Sequence, residues 1–430
     1  MSKKIKINTE PYKGVRDFYP EEMFLQKHLF EKMRQTAESF GYVEYSASVL
    51  EPAELYKAKT GEEIVNEQTY TFTDRGGREV TLRPEMTPTL ARMVAKKSRE
   101  LSYPLRLYSI PNLFRYERMQ RGRLREHFQF NADIFGVSSE EAEIEIIILA
   151  QRLLTSLGAK EKDFEIRIND RAITNALFNK FKLEEEQKYT ISKIIDKKDK
   201  ISKESFKEAL EHILEKKTDE FISLLDSNQE LIKALGEESP EIKKLTNLID
   251  GLDDAGVRNV RFDQSLVRGF DYYTGFVFEI YDLDPENTRS LFGGGRYDNL
   301  LEVFGQEKIP AVGFGAGDVT LLNFLETRKL LPTYISPITI YICRLNKSLA
   351  SEAGILADTL RKSGINTAID LSERKLADQI KSADKQKIPF VICLGEDEVK
   401  TGRFRIKNLT TGQEKALKAE EIAPFIKGKL

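Results

Sequence analysis

Apolar residues near the N-terminus recur every three or four positions, a spacing that predicts a helix ending at Gly41. These residues are Leu25, Leu29, Met33, Ala37 and Phe40. Short strand-like runs follow, from TYTFTD to NLFRYER, and the apolar spacing of residues 140–157 predicts a second helix that closes at Gly158. Residues 1–170 are therefore expected to form the first part of a domain in which a sheet carries flanking helices.

The pattern changes near residue 171, where Lys and Glu become frequent and apolar residues again recur at helical spacing. The clearest examples are Leu224, Leu225, Ile232 and Leu235. Residues 171–258 are therefore interpreted as a helical insertion, most simply a solvated domain without chemistry of its own. Strand signals return at 260–281 and continue through Gly-rich turns, so residues 259–330 are expected to complete the interrupted domain.

A separate domain is predicted at the C-terminal end, after a linker bracketed by Pro332 and Pro337. Strand-like runs alternate there with helical patterns at 349–363 and 373–386. Such alternation is typical of a small α/β domain with a mostly parallel sheet. Residues 331–430 are therefore assigned to the linker and this domain.

Length and charge limit the possible functions. A chain of 430 residues is long enough for two to four domains. The net charge of −2 excludes a protein that is basic throughout. Residues 338–430, however, carry 17 Lys and Arg against 12 Asp and Glu. This basic excess fits RNA contact by the end domain, although chance variation on a solvated surface explains it equally well.

Several protein classes are disfavoured by composition. No apolar run reaches the ~18 residues that a membrane span needs, and the N-terminus lacks the apolar core of a signal peptide. Cys343 and Cys393 are the only cysteines, which leaves neither a disulfide framework nor a Cys-rich zinc site. The three histidines are scattered. We expect a cytoplasmic protein without a membrane partner or a resident metal.

The densest chemical signal is a cluster of arginines between two strand-like runs. Five arginines fall within eleven residues, and Glu117 is the one acid among them. They are Arg115, Arg118, Arg121, Arg123 and Arg125. Guanidinium groups bind phosphate oxygens in bidentate fashion and keep their charge, so an Arg-rich loop between antiparallel strands suits a triphosphate. A salt-bridged surface hairpin is the alternative, but one acid cannot neutralise five arginines.

Polar and apolar side chains alternate directly after this cluster, as in a strand with one buried and one polar face. The apolar set is Phe128, Phe130, Ala132 and Ile134, and the polar set is His127, Gln129, Asn131 and Asp133. A polar row of this kind can line a binding site.

Further candidates lie at turns. In TLRPEMTP (81–88), Thr87 is predicted to cap a helix whose first residue is Pro88. This places Glu85 at a junction between a strand and a helix, where its carboxylate could hold a ligand ammonium group. Capping and turn geometry alone also account for the pattern. LVRGFDYYTG (266–275) sets Arg and Asp beside two tyrosines, which suits a small polar ligand. GGGRYD (293–298) allows close backbone approach, and the alternating glycines of AVGFGAGD (311–318) allow a flat group or tight strand packing.

Together these segments resemble the histidyl-tRNA synthetases, a family of class II aminoacyl-tRNA synthetases, along nearly the whole chain. YKGVRDFYPEE is similar to the family's N-terminal entry, TLRPEMT to its amino-acid-binding element, and FRYER…FQFNADIFG to class II motif 2. LVRGFDYY and GGGRYD resemble the two segments peculiar to the histidine enzyme. ERKLADQIKSADKQKIPFVICLGEDE resembles the anticodon-binding domain.

The resemblance implies an α+β fold with an antiparallel catalytic sheet of six to seven strands, flanking helices, a helical insertion and a C-terminal α/β anticodon-binding domain. Residues 1–170 would hold motifs 1 and 2, and residues 259–330 the histidine-specific segments and the motif 3 region. It also implies a homodimer that activates L-histidine with ATP and Mg²⁺, then transfers it to the 3′ end of tRNA(His).

The resemblance also implies residue roles. Arg268 and Arg115 would be catalytic on the α-phosphate, and Arg115 would also bind the histidine carboxylate. The remaining histidine-binding residues would be Glu85, Thr87, Gln129, Asp133, Tyr272 and Tyr273. Glu117 and Arg123 would join Arg115 in binding ATP. No metal ligands are implied in the protein, because Mg²⁺ would arrive with ATP.

One departure from the family concerns class II motif 3, which normally reads G-x-E-R with an arginine that stacks on adenine. Here Val319 and Thr320 stand where the Glu and Arg are expected. Either another cation substitutes, with Arg121 and Arg296 as candidates, or ATP binding is weakened.

This departure keeps a second function open. A non-catalytic paralogue, the regulatory subunit of ATP phosphoribosyltransferase, shares the catalytic fold and binds histidine as an effector. It typically lacks the anticodon-binding domain and loses the arginines that correspond to Arg115 and Arg268, all of which this chain retains. The threonine and proline synthetases are disfavoured, because no Cys/His cluster is visible and LVRGFDYY has no place in them.

Overall fold

The computed structural model describes residues 8–57, 68–267 and 273–428. The chain folds into two compact units that divide between Leu331 and Pro332, and each unit has its own apolar core.

Nine strands of the first unit build one large sheet. Their order is β1 (Val43–Glu44), β5 (Leu105–Ser109), β7 (Glu126–Phe135), β12 (Ala311–Gly317), β11 (Ser290–Arg296), β10 (Phe276–Asp282), β8 (Phe164–Asp170) and β9 (Val260–Phe262), with β6 (Asn112–Phe114) beside β7. The six strands from β5 to β8 are antiparallel, whereas β1 and β9 pair parallel at the two edges. A small separate sheet contains β2 (Leu50–Pro52), β4 (Glu79–Leu82) and β3 (Tyr70–Thr73).

Helices cover both faces of the large sheet. Those of the first unit are Pro20–Ser39, Glu54–Lys57, Thr87–Lys97, Glu141–Ser156, Arg171–Lys180, Glu185–Ile195, Lys203–Leu214, Thr218–Asp226, Asn228–Leu235, Pro240–Asp254 and Asp318–Thr327. Leu29 and Met33 of the first helix pack with Phe130 and Ala132 of β7 in the main core. Leu90 and Val94 belong to a second core on the opposite face, and the polar residues of β7 point towards that side.

The first helix shows how local sequence sets an element. Pro20 occupies the first turn, where its missing N–H costs nothing, and Glu21 and Glu22 face the positive end of the helix dipole. Met33 and Ala37 are fully buried. The helix ends at Ser39, and Gly41 follows with a φ of 80°, which confirms the predicted helix and its stop.

The second unit is a five-stranded sheet with helices. Its strands follow the order β14 (Thr367–Ile369), β13 (Ile340–Arg344), β15 (Phe390–Leu394), β16 (Arg403–Asn408) and β17 (Glu414–Lys418). Its helices are Ala350–Lys362, Leu376–Lys385, Glu396–Thr401 and Ala419–Lys427.

Two sequence expectations need correction. The end sheet is mixed rather than mostly parallel, since β16 and β17 are joined by a short turn and must run antiparallel. The large sheet has the expected antiparallel centre, of six strands, and short strands extend it to nine. The helix after β4 begins at Thr87 itself, so the capping position falls on Met86, which makes no side-chain cap.

Candidate active site

A cleft of about 1070 Å³ opens on the polar face of β7 in the first unit. Eight of the ten predicted site residues line it: Glu85, Thr87, Arg115, Glu117, Arg123, Gln129, Asp133 and Tyr273. The other two, Arg268 and Tyr272, lie outside the described residues. The cleft therefore brings together every predicted residue that the structure describes.

Glycines of the neighbouring strand make room for the polar row of β7. Gly313 pairs with Asp133 in the sheet, and a Cβ atom on Gly313 would lie 2.0 Å from Asp133 Oδ1. A Cβ on Gly315 would lie 2.2 Å from Gln129 Nε2. The alternating glycines thus pack tightly against two side chains of the adjacent strand. Because both glycines also line the cleft, contact with a flat ligand group stays a prediction.

Asp133 sits at the inner end of the cleft, where it accepts a hydrogen bond from the Tyr297 hydroxyl. Burial raises the pKa of the Asp133 carboxyl to about 7, although the Tyr297 hydrogen bond opposes this shift. Further out, Gln129 donates to Asn131 Oδ1 at 2.7 Å. The inner cleft thus offers amide oxygens and a titratable carboxyl to a ligand that carries N–H groups.

The TLRPEMT segment builds one wall of the cleft. Arg83 is buried and donates to Ala47 O at 2.7 Å and to Asn112 Oδ1 at 3.1 Å, so it ties the segment to the sheet instead of entering the cleft. Glu85 follows it, 2 % exposed, and lines the cleft together with Thr87. The hydrogen bonds that Arg83 donates therefore anchor the segment that carries Glu85.

The Arg-rich segment forms a hairpin over the cleft. At its base Arg115 donates through Nε to Pro84 O at 2.8 Å. Arg123 pairs with Glu117 at 3.3 Å. Arg125 turns outwards instead and lies 3.9 Å from the centre of the Tyr116 ring. These three arginines thus have different environments, and Arg125 stabilises the hairpin itself.

His127 begins the polar row but does not line the cleft. Burial, with Arg115 as the next cause, lowers the pKa of its imidazole to about 3, so the ring is neutral at physiological pH. Of the polar row, Gln129, Asn131 and Asp133 therefore line the cleft, and His127 does not.

Thr320 and the two arginines proposed to replace the motif 3 arginine, Arg121 and Arg296, have different surroundings. Thr320 donates to Leu291 O at 2.7 Å. Arg296 is 4 % exposed, forms a bidentate pair with Glu143 and donates to Val137 O at 2.9 Å. It does not line the cleft, so the expectation that Arg296 could replace the motif 3 arginine is wrong. Arg121 does line the cleft.

Some residues of the cleft were not found from the sequence. Arg289 and Asn287 line its outer end, and Arg167 of β8 lines the side nearest the insertion. Asn287 and Arg289 belong to a loop without periodicity, and Arg167 is one charge among many. Only the polarity of the loop before GGGRYD could have indicated Asn287 and Arg289, and no sequence signal marked Arg167.

Within 8–57, 68–267 and 273–428, no cluster of three or more His, Cys, Asp or Glu is arranged to hold a metal ion. In the same ranges, no helix is both long and apolar enough to cross a membrane.

Known proteins match both units of the chain. The family model for histidyl-tRNA synthetase matches residues 14–319, and that for the anticodon-binding domain matches residues 339–429. The histidine–tRNA ligase of Leptospira biflexa is 43% identical, with 100% of this chain and 99% of the relative aligned. The histidine–tRNA ligase of Thermoplasma volcanium is 38% identical, with 98% and 99% aligned.

Solved structures are also similar to this chain along most of its length. The crystal structure of the histidyl-tRNA synthetase from Nostoc sp. PCC 7120 superposes with a TM-score of 0.83 at 26% identity, covering 99% of this chain and 100% of that one. A Bacillus halodurans structure described as an ATP phosphoribosyltransferase regulatory subunit/histidyl-tRNA synthetase superposes with a TM-score of 0.73 at 26% identity, covering 89% and 97%. The antiparallel sheet and the polar cleft on β7 agree with these matches. Because the family model covers residues 14–319 and a full-length relative is 43% identical, the chain belongs to the histidyl-tRNA synthetase family.

Proposed function

We propose that the cleft performs the histidine–tRNA ligase reaction. L-histidine attacks the α-phosphate of ATP to give histidyl-adenylate and pyrophosphate, and the histidyl group then passes to the 3′ end of tRNA(His). The observation that carries this proposal is the single cleft in which carboxyl and amide groups at one end meet arginines at the other, in a chain whose relatives are histidine–tRNA ligases over their full length.

Histidine would occupy the inner end. Glu85 and Thr87 would hold its ammonium group, and Gln129 and Asp133 would contact the amino group and the imidazole. Tyr273 would line the imidazole pocket, together with Tyr272. A buried site that forms several hydrogen bonds to a ring rejects analogues that leave those groups unpaired, so discrimination against other amino acids is expected to be strong.

ATP would lie along the hairpin. Arg115 would bind the α-phosphate and the histidine carboxylate, with Glu117 and Arg123 as further contacts, and Arg268 would be the second cation on the α-phosphate. The histidine carboxylate is already ionised at pH 7, so no general base is required to make the nucleophile. Fixed cations instead stabilise the negative charge that develops as the α-phosphate becomes five-coordinate.

Mg²⁺ would enter as part of the nucleotide substrate and neutralise the leaving pyrophosphate. We assign tRNA binding to the second unit, because its family model is an anticodon-binding domain and its sequence is basic. We also propose that the protein is a homodimer and that it is located in the cytoplasm. The division into residues 1–170, 171–258, 259–330 and 331–430 likewise stays a proposal.

The direct test is histidine-dependent ATP–pyrophosphate exchange by the purified chain without tRNA. Exchange that requires histidine and is not supported by other amino acids is the expected result. Absence of exchange both with and without tRNA, while histidine still binds, would contradict the ligase.

That negative outcome would favour the regulatory alternative, which the likeness to the Bacillus halodurans structure keeps relevant. The match of residues 339–429 to an anticodon-binding domain supports the ligase instead, since a purely regulatory subunit has no use for that domain.

A further inference from the structure

The tip of the Arg-rich hairpin is a tight turn that is fixed in place over the cleft. Gln120 and Arg123 bond to each other through their backbones, at 3.2 and 2.9 Å, with Arg121 and Gly122 between them. Gly122 has a φ of 80°, a conformation that favours glycine. The Arg121 side chain therefore projects from a defined turn.

Two arginines at this outer end are oriented by neutral acceptors. Arg121 donates to Thr327 Oγ1 at 3.0 Å and to Asn287 Oδ1 at 3.4 Å, while Arg289 donates to Gln120 Oε1 at 2.8 Å. Asn287 is itself held, since its Nδ2 donates to Asp282 Oδ2 at 2.7 Å. Neutral acceptors hold both guanidinium groups in place without compensating their charge.

Two other arginines of the cleft differ in this respect, whereas Arg115 at the base of the hairpin also donates to a neutral acceptor, Pro84 O. Arg123 pairs with Glu117, and Arg167 pairs with Glu165 at 2.8 Å. Neither Arg121 nor Arg289 forms an ion pair with any carboxylate that the structure describes. The outer end of the cleft therefore carries two guanidinium groups without an ion-pair partner among the described residues, although Glu286 lines the same cleft. Such guanidinium groups can pair with an anionic ligand group.

The hairpin tip also closes the space next to Thr320. A Cβ on Gly122 would lie 3.3 Å from Thr320 Cγ2, so the turn packs directly against this residue. A longer side chain at position 320 would meet the turn. The small Thr320 thus allows the hairpin to pack against the Asp318–Thr327 helix, where Arg121 donates a hydrogen bond to Thr327.

We propose that Arg121 and Arg289 form the subsite for the outer phosphates of ATP and for the pyrophosphate product. This inference rests on the proposed function. The hairpin runs from Arg115 at its base to Arg121 at its tip. In this proposal the α-phosphate of the nucleotide contacts Arg115, and its β- and γ-phosphates extend towards the two guanidinium groups at the tip. Both arginines bind these groups in the ground state and hold the pyrophosphate as it leaves.

The test separates the outer phosphates from the rest of the ligand. In the full-length chain, Arg121→Ala and Arg289→Ala are each compared with wild type in histidine-dependent exchange. We expect the KM values for ATP and pyrophosphate to rise on the order of tenfold or more, because charge-assisted hydrogen bonds are lost. The Kd of a non-hydrolysable histidyl-adenylate analogue, which lacks these phosphates, should change by less than about twofold. Arg121→Lys should fall between wild type and Arg121→Ala.

Met119→Ala is the control for disturbance of the hairpin, because Met119 is exposed, uncharged and outside the cleft lining. Equal weakening of ATP and analogue binding, or unchanged KM values in both arginine variants, would overturn the inference. A wild-type chain without exchange would contradict the proposed function alone. In that case calorimetric binding of inorganic tripolyphosphate decides, and equal affinity in wild type and Arg121→Ala would overturn the subsite.

Discussion

Tyr297 donates its hydroxyl hydrogen bond to Asp133 across the inner end of the cleft. The two residues lie on either side of β12, with Asp133 in β7 and Tyr297 directly after β11. Burial raises the pKa of Asp133 to about 7, and Tyr297 limits the rise by stabilising the carboxylate. This contact therefore controls the charge of the group that we propose to contact histidine.

The first prediction concerns pH. Asp133 is ionised above about pH 7, so kcat/KM for histidine should rise as the pH increases through this value. Tyr297→Phe removes the hydrogen bond that lowers the pKa, which should shift the midpoint of the profile to higher pH. The substrate imidazole also titrates, near pH 6.5, but it does so equally with both enzymes. Profiles that superimpose would show that Asp133 does not control the rate.

The second prediction concerns the glycine that receives Asp133. In Gly313→Ala the new methyl group would lie 2.0 Å from Asp133 Oδ1 and 2.7 Å from Ala132 O, so the carboxylate must move. We expect the KM for histidine to rise on the order of tenfold or more while the KM for ATP changes little, together with a loss of about 1–3 kcal/mol in stability.

Gly354→Ala provides the matched control. Gly354 lies in the Ala350–Lys362 helix, and nothing lies within 4 Å of the position of an added Cβ. This substitution should leave both KM values unchanged and stabilise the second unit slightly, since alanine favours a helix by up to about 1 kcal/mol over glycine. Equal KM values for histidine in Gly313→Ala and wild type would contradict the role of Gly313.

The face that a residue occupies was predictable within periodic segments, because the spacing of neighbouring apolar residues along the chain determines it. The spacing of Leu29 and Met33 indicated the buried face of the first helix, and the alternation around Gln129 and Asp133 indicated the cleft face of β7. Motif resemblance added the TLRPEMT wall. The fold class followed from the same two kinds of signal.

Contacts between distant segments were not predictable. Asn287 and Arg289 reach the hairpin from a loop, and only the fold brings them within hydrogen-bonding distance of it. Arg296 belongs to a motif and carries a charge, which made it a candidate for ATP binding. Its partner Glu143 is 153 residues away along the chain, so sequence spacing gave no sign of their buried pair.

The third prediction concerns this buried pair. The side chains of Arg296 and Glu143 are 5% and 1% exposed. Arg296 also pairs with Asp298 at 3.2 Å, but Glu143→Ala removes the bidentate and most deeply buried partner of this guanidinium, so the free energy of unfolding should fall by about 3 kcal/mol. Glu145→Ala is the matched control in the same helix, since Glu145 pairs with Arg106 in a partly exposed position and its loss should cost only about 1 kcal/mol. Similar melting temperatures for the two variants would contradict a structural role for Arg296.

The fourth prediction separates the two units. Each has its own core, so a chain that ends after Leu331 should fold and retain histidine-dependent exchange, because the whole cleft lies in the first unit. Charging of tRNA(His) should fall on the order of a hundredfold, since anticodon contacts are lost. Calorimetry checks folding, because the transition of the first unit should keep its midpoint. Equal loss of exchange and charging in a folded chain would mean that residues 332–430 support the cleft rather than the tRNA.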